Sequence, residues 1–219
     1  MPTHKMPSKD ALSKSKGRYE RHDAFFHAAK KQGFVARSIF KLEEIDKDFS
    51  LIKPKDWVLD LGCSPGSWMQ YVHARVSASG GGAVGVDLLP LKVSLGPKIH
   101  FTQGDIFDVS IESLSPQTAL SDASLPASFD VVLSDMAPNT SGIKSLDQDR
   151  SLVLCERALE IAEHVLRPGG RFCVKILEGG GMPGFLTECR RIFAQVKIRR
   201  PKGTRVASME TYVIGLQKK

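Results

Sequence analysis

The sequence predicts an α/β fold: a mostly parallel, doubly wound seven-stranded sheet covered by helices on both faces, with an antiparallel hairpin at one edge. Three observations carry this. Short apolar runs alternate with amphipathic stretches along most of the 219 residues, the order that produces βαβ units. The run Val58–Leu61 breaks into a Gly/Pro-rich turn and then opens a helix, as a strand at the crevice of such a sheet does. The last two strand-like runs lie about ten residues apart with no helical stretch between them, a spacing that permits a hairpin.

Taken in order, residues 1–17 are polar, rich in Lys and Ser, and contain Pro2 and Pro7. They are expected to be a disordered basic arm, leaving 18–219 as a single domain. Helices are expected over 18–32 and 37–48, separated by Gly33, with Phe40, Leu42, Ile45 and Phe49 at helical spacings. Strand-like runs follow at 57–61, 83–88, 98–103, 130–135, 171–177, 195–200 and 211–217. Helical patterns lie near 66–77, 148–166 and 183–194. Arg167-Pro168-Gly169-Gly170 is a stop signal ahead of the 171–177 strand. Residues 108–128, rich in Ser, Pro and Ala, break the alternation and read as a surface excursion.

Composition bounds the function. With 42% apolar residues the chain can bury a real core. No apolar run approaches the roughly 20 residues of a membrane span, and the N-terminus has no apolar signal-peptide core. Asp10 and Glu20 argue against a transit peptide. A cytoplasmic protein with no membrane partner is expected. Cys63, Cys155, Cys173 and Cys189 are widely spaced, with no CxxC and no His/Cys pairing, so no metal site is expected. Cys155 and Cys173 sit in apolar contexts as buried thiols, whereas Cys63 lies in the turn, where a small residue fits and could also line a pocket.

The net charge of +7 is unevenly spread. Residues 1–55 carry 13 Lys/Arg against 7 Asp/Glu, and residues 190–219 carry 9 against 1, flanking an acidic middle. If the fold brings the ends together they form one positive face, which favours a polyanion, nucleic acid first.

The turn itself, Asp60-Leu61-Gly62-Cys63-Ser64-Pro65-Gly66-Ser67-Trp68, does not supply the G-x-G-x-x-G of dinucleotide dehydrogenases. It is D-x-G-x-x-P-G. An acid at the end of the first strand can bind an amino group, and the following helix N-terminus can offer N–H groups to a carboxylate. Asp87 follows the second strand, placed for ribose hydroxyls. Asp105 follows the third, where an adenine amino group could donate to it. Each acid alone could be a cap or turn residue; three after three successive strands point to a Rossmann-like site for S-adenosylmethionine. The fourth strand ends Ser134-Asp135-Met136-Ala137-Pro138-Asn139, and the fifth holds Lys175 between Val174 and Ile176. A lysine there is costly to bury; it either snorkels from the strand end or faces the crevice as a catalytic group.

With these motifs the chain resembles the FtsJ/RrmJ family of ribosomal RNA ribose 2′-O-methyltransferases over nearly its whole length after the first dozen or so residues. Ser38–Leu42, Asp60–Trp68, Ser134–Asn139, Phe172–Ile176 and Lys202–Tyr212 carry the likeness. It implies a Lys-Asp-Lys-Glu tetrad at Lys41, Asp135, Lys175 and Glu210. It also implies cofactor positions at Gly66, Trp68, Asp87, Asp105 and Asp135; with the turn and strand-end residues around them, the expected cofactor site comprises Asp60, Gly62, Cys63, Pro65, Gly66, Ser67, Trp68, Asp87, Leu88, Asp105, Ile106 and Asp135. Ser67 stands where the family has a second glycine, and Cys63 where alanine is commoner. The implied reaction is attack of a ribose 2′-hydroxyl on the sulfonium methyl, with Lys175 orienting the hydroxyl and taking its proton. The implied substrate is a uridine ribose of large-subunit ribosomal RNA, handled by a monomer, with a tRNA ribose second and a non-catalytic RNA-binding assembly factor as the competing class. Arg18, Arg21, Lys30, Lys31 and Arg37 near one end, and Arg199, Arg200, Lys202 and Arg205 near the other, are the expected phosphate contacts.

Overall fold

The structure, a computed structural model, describes residues 18–202, 204 and 208–219, with backbone only for residues 18–23. The expectation for residues 1–17 lies outside the described residues. The elements are α1 (Arg18–Lys31), α2 (Ile39–Phe49), β1 (Trp57–Leu61), α3 (Ser67–Val76), β2 (Gly82–Asp87), β3 (Ile99–Gln103), α4 (Pro116–Leu120), β4 (Phe129–Ser134), α5 (Lys144–Val165), β5 (Leu166–Leu177), α6 (Met182–Ile192), β6 (Phe193–Arg199) and β7 (Glu210–Lys218). They build one seven-stranded sheet in the order β3-β2-β1-β4-β5-β7-β6. The strands from β3 to β5 pair in parallel. β7 runs antiparallel to both of its neighbours, β5 and β6. The expected edge hairpin is present, with its second strand tucked between β5 and β6.

Strand side chains alternate between two cores, as the period of two requires. Leu59, Leu61, Val132, Phe172, Val174 and Ile176 face α5 and α6. Val58, Leu133, Cys173, Tyr212 and Ile214 face α1, α2 and α3. That alternation assigns Lys175, between Val174 and Ile176, to the α1–α3 face.

Two segments differ from the sequence expectation. The Arg167–Gly170 stop lies inside β5: Leu166 already pairs with Phe129, and the ladder resumes at Arg171 opposite Val131. The four residues between them bulge from the strand, with Gly169 at φ +76°. Residues 108–128 are no loose excursion. A 3-10 turn at Ile111–Leu114 and the short α4 fold there, Leu114 is buried, and Val109, Ile111, Leu120 and Leu125 pack on the core. Ser115 caps α4 by accepting from the Thr118 N–H at 3.1 Å. The apolar residues are too scattered among Ser and Pro to show a period, so pattern reading misses them.

A buried ion pair and a set of hydrogen bonds tie the base of the sheet. Arg171 donates to Asp56 at 2.9 Å and to the Leu51 carbonyl at 2.7 Å. Asp46 accepts from the Ile52 N–H and the Tyr71 hydroxyl at 2.7 and 2.8 Å, joining α2 to α3. Lys218 donates to the Leu166 carbonyl at 2.6 Å and to Glu163 O, and Lys219 to the Arg190 carbonyl at 2.7 Å. Both lysines serve the C-terminal ends of α5 and α6, where positive charge is stabilising. Among the described residues no helix is long and apolar enough to cross a membrane.

Candidate active site

A crevice of about 570 Å3 opens at the C-terminal ends of β1, β2, β3 and β4, where ligands bind in open α/β sheets. Its size falls in the range of small-molecule and cofactor sites. Gly62 and Ser64 of the turn, Asp87 and Leu88 after β2, Asp105 and Ile106 after β3, and Asp135 after β4 all line it. The Asp87 carboxylate accepts from the N–H groups of Ser64 and Leu89, each at 2.8 Å. Those bonds hold the turn and leave lone pairs for hydroxyl donors. Asp105 accepts from the Phe107 N–H at 3.0 Å.

The two turn glycines serve close packing within the protein. A Cβ on Gly62, at φ +77°, would sit 2.6 Å from Met136 Cγ, and one on Gly66, at φ +114°, 2.5 Å from Val93 Cγ2. Asp60, Cys63, Pro65, Gly66, Ser67 and Trp68, expected at the cofactor, do not line the crevice. Cys63 is buried under the turn and burial pushes its thiol up, away from thiolate chemistry. Ser67 and Trp68 are also buried. The Ser67 hydroxyl lies 2.8 Å from that of Ser38, and the Trp68 indole N–H donates to the Ser38 carbonyl at 3.0 Å. They anchor the start of α2 to the start of α3. Local motif reading cannot say which way these side chains face.

Asp60 is fully buried, and neither of its carboxylate oxygens has a hydrogen-bond partner. Burial, with Asp135 and Asp87 nearby, pushes its carboxyl well above the usual range.

The tetrad assembles at the same end of the sheet. Lys175 Nζ lies 3.0 Å from Asp135 Oδ1 and also donates to the Asp135 carbonyl. Two of its three N–H donors are thereby used, and one remains. Lys41 Nζ, on α2, lies 2.5 Å from Glu210 Oε1. Tyr212 joins the two ion pairs: its hydroxyl lies 2.9 Å from Asp135 Oδ1 and 3.2 Å from Glu210 Oε1. The hydroxyl has one proton for two acceptors, so at any instant it donates to only one carboxylate. Burial, reinforced by the Asp135 and Glu210 charges, raises its pKa well above the usual tyrosine value, so Tyr212 stays a donor. The topology explains the gathering. Because β7 is antiparallel, it begins where β5 ends, pairing Tyr212 with Lys175 and Glu210 with Leu177. The sequence expectation omitted Tyr212; its place two residues after Glu210 on a strand was the available signal.

An FtsJ-like methyltransferase family model matches residues 34–218. The chain belongs to that family. Ribosomal RNA large subunit methyltransferase E of Desulfatibacillum aliphaticivorans is 44% identical over 207 residues, 94% of this chain and 96% of that protein. The Sorangium cellulosum protein of the same name is 44% identical over 206 residues, covering 94% and 92%. Among solved structures, a Plasmodium falciparum chain described as a ribosomal RNA methyltransferase superposes with a TM-score of 0.72 at 26% identity, over 84% of this chain and 98% of that one. As a member of the family, this FtsJ-like protein is a methyltransferase that draws on S-adenosylmethionine. Its own residues fit that cofactor: an unpartnered buried carboxylate suits a cationic group, and the Asp87 and Asp105 carboxylates at the crevice wall can accept from hydroxyl and amino donors.

The basic residues divide. Lys30, Lys31 and Lys202 are exposed. Arg37 is half-buried. Arg199, expected on phosphate, is bound instead to Glu44 and Asp48, each at 2.7 Å, and Arg200 donates to the Ser208 carbonyl. The side chains of Arg18 and Arg21, and all of Arg205, lie outside the described residues. The contacts Lys41–Glu210 and Glu44–Arg199 bring α2 against the C-terminal strands, so within the described residues the two ends of the chain meet there.

Proposed function

We propose that this methyltransferase modifies a ribose 2′-hydroxyl of large-subunit ribosomal RNA, acting in the cytoplasm as a monomer built on residues 18–219. The observation that carries the reading is the Lys175–Asp135 ion pair, whose carboxylate partner lines the crevice, linked through Tyr212 to Glu210 and Lys41. The names of the relatives support the RNA class. S-adenosylmethionine, when bound, supplies an activated methyl group.

Each residue then has a task. Asp87 and Asp105 hold the cofactor at the crevice wall, with Leu88 and Ile106 beside them; the buried, unpartnered Asp60 carboxylate behind the turn supplies the counter-charge for its cationic group, and Gly62 keeps the turn close to Met136. Cys63, Pro65, Gly66, Ser67 and Trp68 support that turn from behind. Lys175 uses its remaining N–H to aim the 2′-oxygen, and the hydroxyl proton leaves to water as the methyl group transfers. Asp135 fixes the Lys175 head group from two sides. Lys41 and Glu210 position the lysine pair and the ribose. Lys30, Lys31 and Lys202 neutralise phosphates and set register without choosing the base.

The test is transfer of labelled methyl from S-adenosylmethionine to ribosomal subunits, ribosomal RNA and tRNA in parallel, with Lys175→Ala as control. Label on large-subunit RNA that resists alkaline cleavage, and is lost in the variant, is expected. Label on tRNA alone moves the substrate to tRNA. Full activity of Lys175→Ala removes the assigned mechanism.

A further inference from the structure

Glu44 lies on α2, three residues beyond Lys41, and is almost completely buried. A buried carboxylate needs partners, and Glu44 uses both oxygens. Oε1 lies 2.7 Å from Arg199 Nη2 at the end of β6, and Oε2 accepts from the Lys202 main-chain N–H at 3.0 Å. Asp48, one turn further along α2, meets the same Nη2 at 2.7 Å. Acids at i and i+4 on a helix repel each other; here one guanidinium lies against both. The Arg199 carbonyl in turn accepts from Thr211 Oγ1 at 3.2 Å, on β7. The helix that carries Lys41 is thus fastened to the strand end from which the basic segment Arg200–Lys202 departs.

We propose that Glu44 is a positioning residue for RNA. With Asp48 it draws Arg199 away from phosphate and fixes the main chain at Lys202. This sets the exposed Lys202 side chain in a defined place relative to Lys41 and Glu210, so Arg199 acts through geometry and Lys202 through charge. The proposal rests on the RNA reading above.

Simple electrostatics and this proposal predict opposite signs. Removing a negative charge should tighten RNA binding if charge alone matters. Here Glu44→Gln loosens the fastening and weakens binding instead. The experiment compares wild type, Glu44→Gln and Arg199→Gln in binding to a large-subunit ribosomal RNA fragment over a salt series, in KM for RNA and in Kd for S-adenosylmethionine. The expected result is a roughly tenfold rise in RNA KM for both variants, kcat at saturating RNA within about twofold, and a cofactor Kd that stays at the wild-type value and certifies the fold. The salt slope should fall by about one for a lost phosphate contact. Tighter or unchanged RNA binding by Glu44→Gln, with Arg199→Gln weakened, would make Arg199 a direct phosphate ligand and overturn the proposal. Wild-type protein that takes up cofactor but binds no RNA overturns the RNA reading, and this inference with it.

Discussion

The two halves of the proposed active site are built in opposite ways. The proposed cofactor half comes from consecutive parallel strands and the turns after them: Asp60 lies near the end of β1, Asp87 ends β2 and Asp105 follows β3. The lysine half draws on α2, β4, β5 and β7, and its Lys41–Glu210 contact spans 169 residues of sequence. The first half is a repeated local solution to binding; the second exists only when the whole sheet has closed. Local construction tolerates single changes at its rim. A network assembled from four elements has few spare partners, so it should fail more sharply.

Lys175→Ala strikes the assembled half most directly. If Lys175 aims the 2′-oxygen as proposed, losing that donor costs about 10²–10³-fold in rate, and single-turnover kinetics should show it with cofactor Kd almost unmoved. Asp60→Asn tests the local half. A hydrogen bond to a charged group contributes about 1.5–3 kcal/mol, so cofactor affinity should fall about ten- to a hundredfold by calorimetry. The pH dependence has a definite sign. The raised folded-state pKa of Asp60 means its contribution to stability is present at low pH and is lost as pH rises through that value. A cationic group of the cofactor favours the ionised form, so binding should expel a proton and tighten as pH rises above the ordinary carboxylate range. Asp60→Asn should abolish that trend and raise the Tm of the cofactor-free protein at neutral pH.

Tyr212→Phe is a smaller cut in the network. Both ion pairs survive, but Asp135 and Glu210 lose their shared donor, and an unmet acceptor costs about 1–3 kcal/mol. A roughly tenfold drop in kcat with RNA KM preserved is expected; a wild-type rate would show the two pairs to be independent. Asp147→Asn should have the least effect. Asp147 accepts from the Ser141 N–H and hydroxyl at 2.7 and 2.8 Å, stapling the loop after Asn139 to α5. Those bonds, the backbone one first, lower its pKa, so its stabilisation is present above the ordinary carboxylate value and lost as pH falls through the lowered one. The variant should flatten the acid side of a Tm-versus-pH curve and leave neutral-pH activity nearly intact.

The same contrast governs what the sequence reveals. The parallel sheet, its strand ends and the acids after them follow from periodicity and turn chemistry, which are local. The tetrad required a likeness in four separate motifs, because nothing near Lys41 announces Glu210. Trp68 and Cys63 sit in the right motif yet face the core, since a turn's sequence leaves the facing of its flanks open. Arg199 reads as a surface cation until Glu44 and Asp48 are found opposite it. Residues 109–125 contribute to the core without any period that composition could expose.

The reversed direction of β7 has one more consequence. Glu210 and Tyr212 reach the site only through β7, the strand that follows all of its sheet partners in chain order and slots between β5 and β6. The ion pair of Lys41, near the start of the described chain, therefore waits on the strand that is synthesised after every other strand of the sheet.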